Sequence, residues 1–484
     1  MRVQTIGWAL AACIATTACG DGSPSSPDAP GNGEDASPDA SDPPGCTARE
    51  LFGTGLNLIP ARLLHVSATA AAGGDGSAAN PFRTIEEAAD VVQPGDAIRL
   101  GPGTHTSGQF LSDLRGSPGA PIWIGGTPGQ PRPVIAGGVE ALHLSRPAYV
   151  IVHDLEITGQ TANGINVDDG ADVDDPLAAH HVAIANVYVH DIGTGGNNDC
   201  IKLSGVNDVH VYHSRIERCG AGGSGVDHVG VHRGLVVQNT FDGVMSTAVQ
   251  VKGGSTDVVI DANRIRISGG RAINLGGSTS FEFFRPPLST TAPNAEARRV
   301  HATNNLITGL GTTATPFAFV GCVDCLAAHN LVRGQQRWNL RILQETTTSG
   351  NFTFEPAANG RVISNSFVFT ASTLSTAVNV GADTNAASFS FATNLWYASD
   401  APAMSTPMLP STETGGVVGM PSGYANLPDD PNVALPGGYA QIVVGSPEWA
   451  AQPPRLLEVV ATFSGSCRDA STTIGPGEGE SPSS

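Results

Sequence analysis

Through most of the chain, apolar and polar residues alternate in short runs separated by Gly, Asn, Asp or Ser. The stretch from Val249, VQVKGGSTDVVIDANRIRISGG, shows the unit. VQVK alternates, GGST turns, DVVIDA alternates, Asn263 marks a tight bend, and RIRIS alternates again before a longer loop. Alternation with period two over so few residues predicts strands with one buried and one outward face. A small polar residue followed by the same strand-like alternation returns at Asp154, Asn186, Ser214, Asn239, Asn305, Asn330, Asn365 and Asn394. With Asn263 included, the steps are 32, 28, 25, 24, 42, 25, 35 and 29 residues. Three short strands in each such period predict an all-β stack of coils, a single-stranded right-handed parallel β-helix over residues 55–400. Bend asparagines stacked in this way can bond their amides along the column, which assigns the Asn series to structure. A propeller or sandwich would need hairpin signals such as Asn-Gly, and these are sparse.

The start of the repeat fits the same architecture. TIEEAADVV, from Thr84 to Val92, opens with Thr84 and Glu87 at capping-box spacing and has one apolar face, so it predicts a helical cap that plugs the open end of the stack. DGSAANPFRTIEEAADVVQPGDAIRLGPGTHTSGQ, followed by GSPGAPIWIGGTPGQPRPVIAGG, resembles the N-terminal region of pectate-lyase-like proteins. The resemblance is strongest to polysaccharide lyase family six, the chondroitinase B and alginate lyase type, and runs over residues 63–396. It implies the β-helix fold and, as an expectation, activity on a uronate-containing polysaccharide.

Aligned first strands give GINVDD, CIKLSG, HVGVHR, AVQVKG, AINLGG, FAFVGC, NLRILQ and AVNVGA. Alternation then buries Ile201, Leu203, Val249, Val251, Ile273, Leu275, Leu340 and Ile342. It turns Asn166, Asp168, Lys202, Ser204, His228, His232, Gln250, Lys252, Asn274 and Arg341 outward. Coils stack about 4.8 Å apart, so these residues form one polar stripe.

The composition, with 60 Gly, 34 Pro and only 14% charged residues, suits a large all-β protein with many turns. A formal charge of −19 makes nucleic acid an unsuitable partner. An acidic glycan remains open, provided that a local basic groove or a bound cation receives it. Residues 1–19 carry one basic residue and an apolar stretch too short to span a bilayer, which predicts an export signal. Thr-Thr-Ala-Cys resembles the lipobox of bacterial lipoproteins and implies a lipid anchor at Cys19, with a plain secretory signal as the alternative. Residues 20–45 lack apolar periodicity and predict a tether, and residues 401–484 an irregular C-terminal segment. The expected protein is a monomer on an outer membrane or cell surface, or secreted, touching membrane through the anchor only. Six cysteines remain after Cys13 and Cys19, an even number that favours disulfides without fixing their pairing. Cys322-Val-Asp-Cys325 is read as structural because it has neither a second CxxC nor a thioredoxin-like context.

The chemistry suggested by the stripe is β-elimination. The proton on C5 of a uronate is weakly acidic, so the neighbouring carboxylate must be neutralised and a base placed beside the carbon. Lys252, Lys202 and His228 are the catalytic candidates. Gln250, Asn274, Arg271, Arg341, Phe283 and Arg285 are candidate glycan contacts, the last two in the insertion STSFEFFRPP, whose aromatics could stack on sugar or pack on the barrel. The loop VDDGADVDDP offers Asp168 and Asp169, with Asp199 on the next coil, as oxygen ligands for calcium, the solvated acidic turn being the alternative. In the family-six resemblance, Lys252 matches a catalytic lysine. The partner arginine falls at Gly276, leaving Arg271 or Arg341 as substitutes, and the acidic positions beside the lysine hold Val249 and Gln250. NNDCIKLSG also resembles a polygalacturonase segment, but Asn163 and Asn198 stand where that family has aspartates and leave Asp199 alone, whereas hydrolysis needs two carboxyls. The Asp-Pro-His motif of alginate epimerases is absent. A non-catalytic glycan-binding or structural β-helix is the third reading.

Overall fold

A computed structural model describes residues 58–421 except 194, 221, 268 and 349, and beyond them 427–435, 441–442, 446–451, 474–476 and 478–479. The export signal, Cys19, the tether, Cys46 and Cys467 lie outside the described residues. Among the described residues, the strands fall mainly into three long parallel sheets of 10, 13 and 12 strands, which wind into a right-handed β-helix. Thr247–Lys252 lies in the first sheet, Val259–Asp261 in the second and Arg264–Arg266 in the third; the chain then returns to the first sheet at Gly269–Gly276. Each strand pairs with its counterpart one coil on, as Val249 with Ile273, Ile260 with Ala302 and Ile265 with Ile307.

Inward side chains from all three sheets make one core. All eight first-strand residues expected inside are fully buried, and each such aliphatic side chain contributes about 1.5–3 kcal/mol. Short strands at Glu413–Thr414 and Val417–Val418 carry the second and third sheets past residue 400.

The bend asparagines form a continuous internal column from Asn239 through Asn263, Asn305, Asn330 and Asn365 to Asn394. At each step the backbone N–H of one donates to the side-chain oxygen of the next at 2.8–3.0 Å. Their amide N–H groups also reach across to second-sheet carbonyls, such as Asn305 to Ile260 O at 2.9 Å. Glu413 closes the column, accepting from the Asn394 backbone and amide and from Trp396 Nε1. Ser214 belongs at the other end, accepting from Val187 N. Asp154 and Asn186 do not belong: they take left-handed backbone one residue earlier, at φ 52° and 48°, and Leu155 and Val187 fill the column positions. Small polar residues favour both the left-handed corner and the bend, so sequence alone merged two adjacent columns.

The N-terminal helix is shorter than its pattern, Ile85–Ala89, with Thr84 accepting from Glu87 N at 3.2 Å. Glu86 accepts from Phe110 N in the end strand of the first sheet, and Gln109 Oε1 accepts from Ile85 N and Glu86 N. The helix therefore covers a sheet edge that would otherwise be a template for pairing. Cys200 is bonded to Cys219 and Cys322 to Cys325, and all four sulfurs belong to buried residues.

Candidate active site on the outward face of the first sheet

Strand register places His143, Asn166, Lys202, Asp227, Gln250, Asn274, Ala318, Arg341 and Asn379 in one row, each paired with the next. Lys252 lies two residues along its strand in the adjoining row, with Asp168, Ser204 and Val229. The centre of this surface is a four-residue cluster. Lys202 Nζ is 2.5 Å from Asp227 Oδ2 and 3.4 Å from Asp199 Oδ2, and Lys252 Nζ approaches the same Asp227 oxygen at 3.7 Å. Both carboxyls are 1% exposed, so the lysines lie over them.

Local structure fixes the carboxyls. The Asp199 backbone N–H donates to Asn163 Oδ1, and its Oδ1 accepts from Ser224 N at 2.6 Å, on the next coil. Burial, together with the charge of Asp227, raises the Asp199 carboxyl to about 7. Burial pulls the Lys202 ammonium the other way, but Asp227 and Asp199 outweigh it and the net shift is upward. Lys202 is thus a fixed cation, and Asp199 exchanges a proton near neutrality. Asp227 Oδ1 and Asp199 Oδ2 have no hydrogen-bond partner among the described residues.

The structure separates other expected members. His228 was expected outward; register pairs it with inward Leu203 and Val251, it is fully buried, and Asp227 takes the outward place. Its ring Nδ1 lies 3.2 Å from Gln250 O and burial lowers it to about 4, so it is a neutral core histidine with no access to substrate. Asp168, Asp169 and Asp199 do not converge. Asp168 is 2.6 Å from His143 Nε2, Asp169 is held bidentately by Arg285 at 2.5 and 3.2 Å, and Asp199 faces Lys202. No group of three His, Cys, Asp or Glu among the described residues is placed to hold a metal. The acidic loop does not fit calcium, because each of its first two carboxylates is already committed to a cation of the chain.

Arg285 is therefore not a free glycan contact: nearly buried, it ties the aromatic insertion to the acidic loop. The insertion nevertheless stands beside the cluster, since Arg285 N donates to Gly253 O, next to Lys252. Phe281 and Phe284 pack against Phe352 and Phe354, whereas Phe283 is 51% exposed. Gly276, where the lyase resemblance expects arginine, has φ 100°, and a Cβ there would meet Val320 O at 1.8 Å. No side chain fits at that position. Arg271 pairs with Glu345 and Asn274, and Arg341 with Asn379 five coils from Lys202. Arg341 stands three coils, about 14 Å, from the Lys252 strand, and Arg271 pairs with Thr247, five residues or about 16 Å before Lys252, so neither is placed like the arginine expected at Gly276. Gln250 continues the row beside Asp227 and is part-exposed, whereas Asn274, expected as a glycan contact, is 1% exposed, donates to Gly276 O and accepts from Arg271, so it is not free to meet a glycan.

Sequence reading missed Asp227 and the His143 cluster. His143 lies between Asp168 and Glu140, which raise it to about 9, so it is an imidazolium at neutral pH. A usable signal for Asp227 existed: the ladder step in this coil, from Ser214 to Asn239, is 25 residues, and the same step from Lys202 reaches Asp227. An open hollow of about 540 Å³ lies elsewhere, on the second sheet between Arg299, Asp324, Asn359 and Arg361. Arg299 there already pairs with Asp257 and Asn359 with Asp324, so the lysine–carboxyl cluster is the stronger candidate.

No protein-family model and no curated protein matches the chain. Among solved structures, pectate lyase Pel9A superposes with a TM-score of 0.50 at 14% identity, covering 87% of this chain and 98% of its own. The complex of XylC with xylose gives a TM-score of 0.51 at 10% identity, covering 86% and 99%. An alginate lyase from Paenibacillus sp. str. FPU-7 gives 0.42 at 16% identity, covering 67% and 99%. The first two likenesses place the chain in the pectate-lyase-like class of right-handed parallel β-helices, a statement about fold.

Proposed function

We propose that this chain cleaves uronate-containing polysaccharide by β-elimination at the Lys202–Lys252 cluster. The observation that carries the reading is that two amines on adjoining rows of the outward face are backed by two buried carboxyls, with Asp227 between them. Lys202, held cationic, neutralises the uronate carboxylate and makes C5–H more acidic. Lys252, with its longer contact to Asp227, is the freer amine and takes the C5 proton. The released electron pair becomes the C4–C5 double bond, the C4–O4 bond breaks, and O4 departs with a proton passed on by the Lys202 ammonium, which Asp199, 3.4 Å behind it, replenishes. No metal step is invoked.

Hydrolysis is the second reading, favoured by one observation: two carboxyls, Asp199 and Asp227, stand beside one ammonium, and burial raises that of Asp199. Their contacts to Lys202 keep the facing oxygens within about 6 Å, near the separations used by glycosidases. It ranks lower because amines, not carboxyls, face the solvent. The deciding experiment incubates the full chain with a panel of acidic polysaccharides, with and without chelator. Ultraviolet absorbance from an unsaturated uronate supports elimination; new reducing ends without that absorbance overturn it in favour of hydrolysis. Binding without either product leaves a glycan-binding scaffold.

The proposal includes export, with lipid anchoring at Cys19 and the catalytic domain held off the membrane by the tether. Cys19→Ser should move the protein from the membrane to the soluble fraction, and unchanged sedimentation would overturn the anchoring.

A further inference from the structure

Five coils beyond Lys202, the outward row reaches a second cationic centre. Arg341 lies with its guanidinium carbon 4.4 Å from the centre of the Trp338 ring, and Arg337 packs on the same ring at 4.4 Å. Both contacts fall in the range of cation–π attraction. Arg341 Nε donates to Asn379 Oδ1 at 3.0 Å. Burial first, then the like charges of Arg271 and Arg337, lower the Arg341 pKa, and Glu345 alone offsets them. That carboxylate is already held by Arg271 at 2.5 Å and is exposed. A chain of charge −19 thus gathers three guanidiniums at one place with one acid among them. Self-repulsion of this kind is relieved by an anion from outside.

We infer that Arg337 and Arg341, ordered on Trp338, form with the neighbouring Arg271 a second anion-binding subsite that grips an acidic glycan far from the bond being cleaved. The inference rests on the reading of the Lys202–Lys252 cluster as the uronate-cleaving centre. The two centres share one row, with Asp227, Gln250, Asn274 and Ala318 between Lys202 and Arg341. At about 4.8 Å per coil they stand roughly 24 Å apart. A uronate chain lying along the helix axis advances by about one sugar per coil, so about five or six sugars bridge them. The guanidinium fork suits a carboxylate, and the tryptophan orders it for that contact. Short chains engage one centre and longer chains both, so affinity rises in a step at the bridging length instead of smoothly.

The test titrates the full chain with oligogalacturonates and oligomannuronates of two to eight sugars, with xylohexaose as the uncharged control. Wild type should show a step of about tenfold or more between the tetramer and the hexamer, the size expected for one charge-assisted contact. Arg341→Gln should reduce the hexamer-to-dimer affinity ratio close to one. Arg337→Gln, at an exposed position where folding is not at stake, should reduce the step in part. Hexamer binding should also quench fluorescence in wild type more than in Trp338→Phe. A uronate series that binds with no step, a step that survives both arginine variants, or xylohexaose binding as well as the charged hexamers overturns the inference and leaves the cleavage reading standing. If no oligomer binds at any length while the polysaccharide is still cleaved, the inference alone fails. If neither binding nor cleavage occurs, both fail.

Discussion

Two polar columns run up this β-helix, one inside it and one out. The inner column repeats a single residue, asparagine, from Asn239 to Asn394, and nearly every donor and acceptor in it is matched by the next coil. The outer row changes residue at every coil, from His143 through Lys202 and Asp227 to Arg341. It leaves acceptors on Asp199 and Asp227 open and crowds like charges at both Asp199–Asp227 and Arg271–Arg341. Stacking at a fixed spacing is common to both. What differs is whether a position satisfies itself: a column that repeats and closes contributes stability, whereas one that varies and stays incomplete retains interaction capacity for something else. The lysine–carboxyl cluster leaves one oxygen on each of two buried carboxyls without a hydrogen-bond partner, directly under two amines, which is why the chemistry is placed there.

The sharpest way to break this contrast is to truncate one residue of the outer cluster and one of the inner column. Lys252→Ala should lower kcat by a factor of about 10³, within the range attributed to a general base, while leaving thermal unfolding near that of wild type, because its side chain contributes little to the core. If turnover exists and survives, the base is elsewhere, and Asp227 becomes the next candidate. Asn305→Ala should do the reverse. It removes the acceptor of Asn263 N and Nδ2 and the donor to Ile260 O and Asn330 Oδ1. A loss of about 2–4 kcal/mol in urea unfolding is expected, with unchanged activity per folded molecule. A loss below about 0.5 kcal/mol would show that the column is ornament.

A smaller effect separates the columns by pH. Asparagines do not titrate, so the cost of Asn305→Ala should be flat with pH. Asp199 differs: its folded-state pKa is raised from 3.8 to about 7. Below 3.8 the carboxyl is protonated whether folded or not and its stabilising contribution is fully present; as pH rises through about 7 the buried carboxylate forms and that contribution is lost. Asp199→Asn should therefore gain stability relative to wild type between pH 4 and 8, measured by urea unfolding at both ends. The same variant should lose kcat, because an amide cannot replenish the proton that Lys202 passes to O4. A stability difference that does not change with pH would mean that Asp199 is ionised throughout.

The inner column was legible in the sequence because it repeats, and repetition at coil spacing has one physical meaning. The strands, their buried faces and the outward direction of Lys202 and Lys252 were legible for the same reason: period-two alternation is local. Where the frame is ambiguous, local reading fails. GVDHVGVHR alternates acceptably in two registers, and the wrong one turned His228 out and hid Asp227. Only the neighbouring coils decide, because Ile201 and Val249 fix Val226 between them. Loops were illegible for a different reason. Asp169 and Arg285 are 116 residues apart in sequence and meet because the 42-residue step carries an insertion back over three earlier turns. No spacing rule foretells that contact, and without it the acidic loop reads as a calcium site.

The insertion provides the finest test of the same contrast. Of its three phenylalanines, Phe281 and Phe284 are engaged with Phe352 and Phe354 and so behave like the inner column, satisfied by the chain itself. Phe283 alone is left half-exposed, on a segment pinned beside Lys252 through Arg285 N and Gly253 O. If unsatisfied positions near the cluster serve substrate, Phe283 offers a sugar ring an aromatic face, a contact worth about 0.5–1.5 kcal/mol. Phe283→Ala should then raise KM on the cleaved polysaccharide by about three- to tenfold with kcat nearly unchanged, since the contact is the same before and during proton transfer. Phe284→Ala, which empties a buried site, should instead lower thermal stability. Equal KM values for Phe283→Ala and wild type would confine the glycan surface to the sheet itself and leave the insertion the single task of holding the acidic loop.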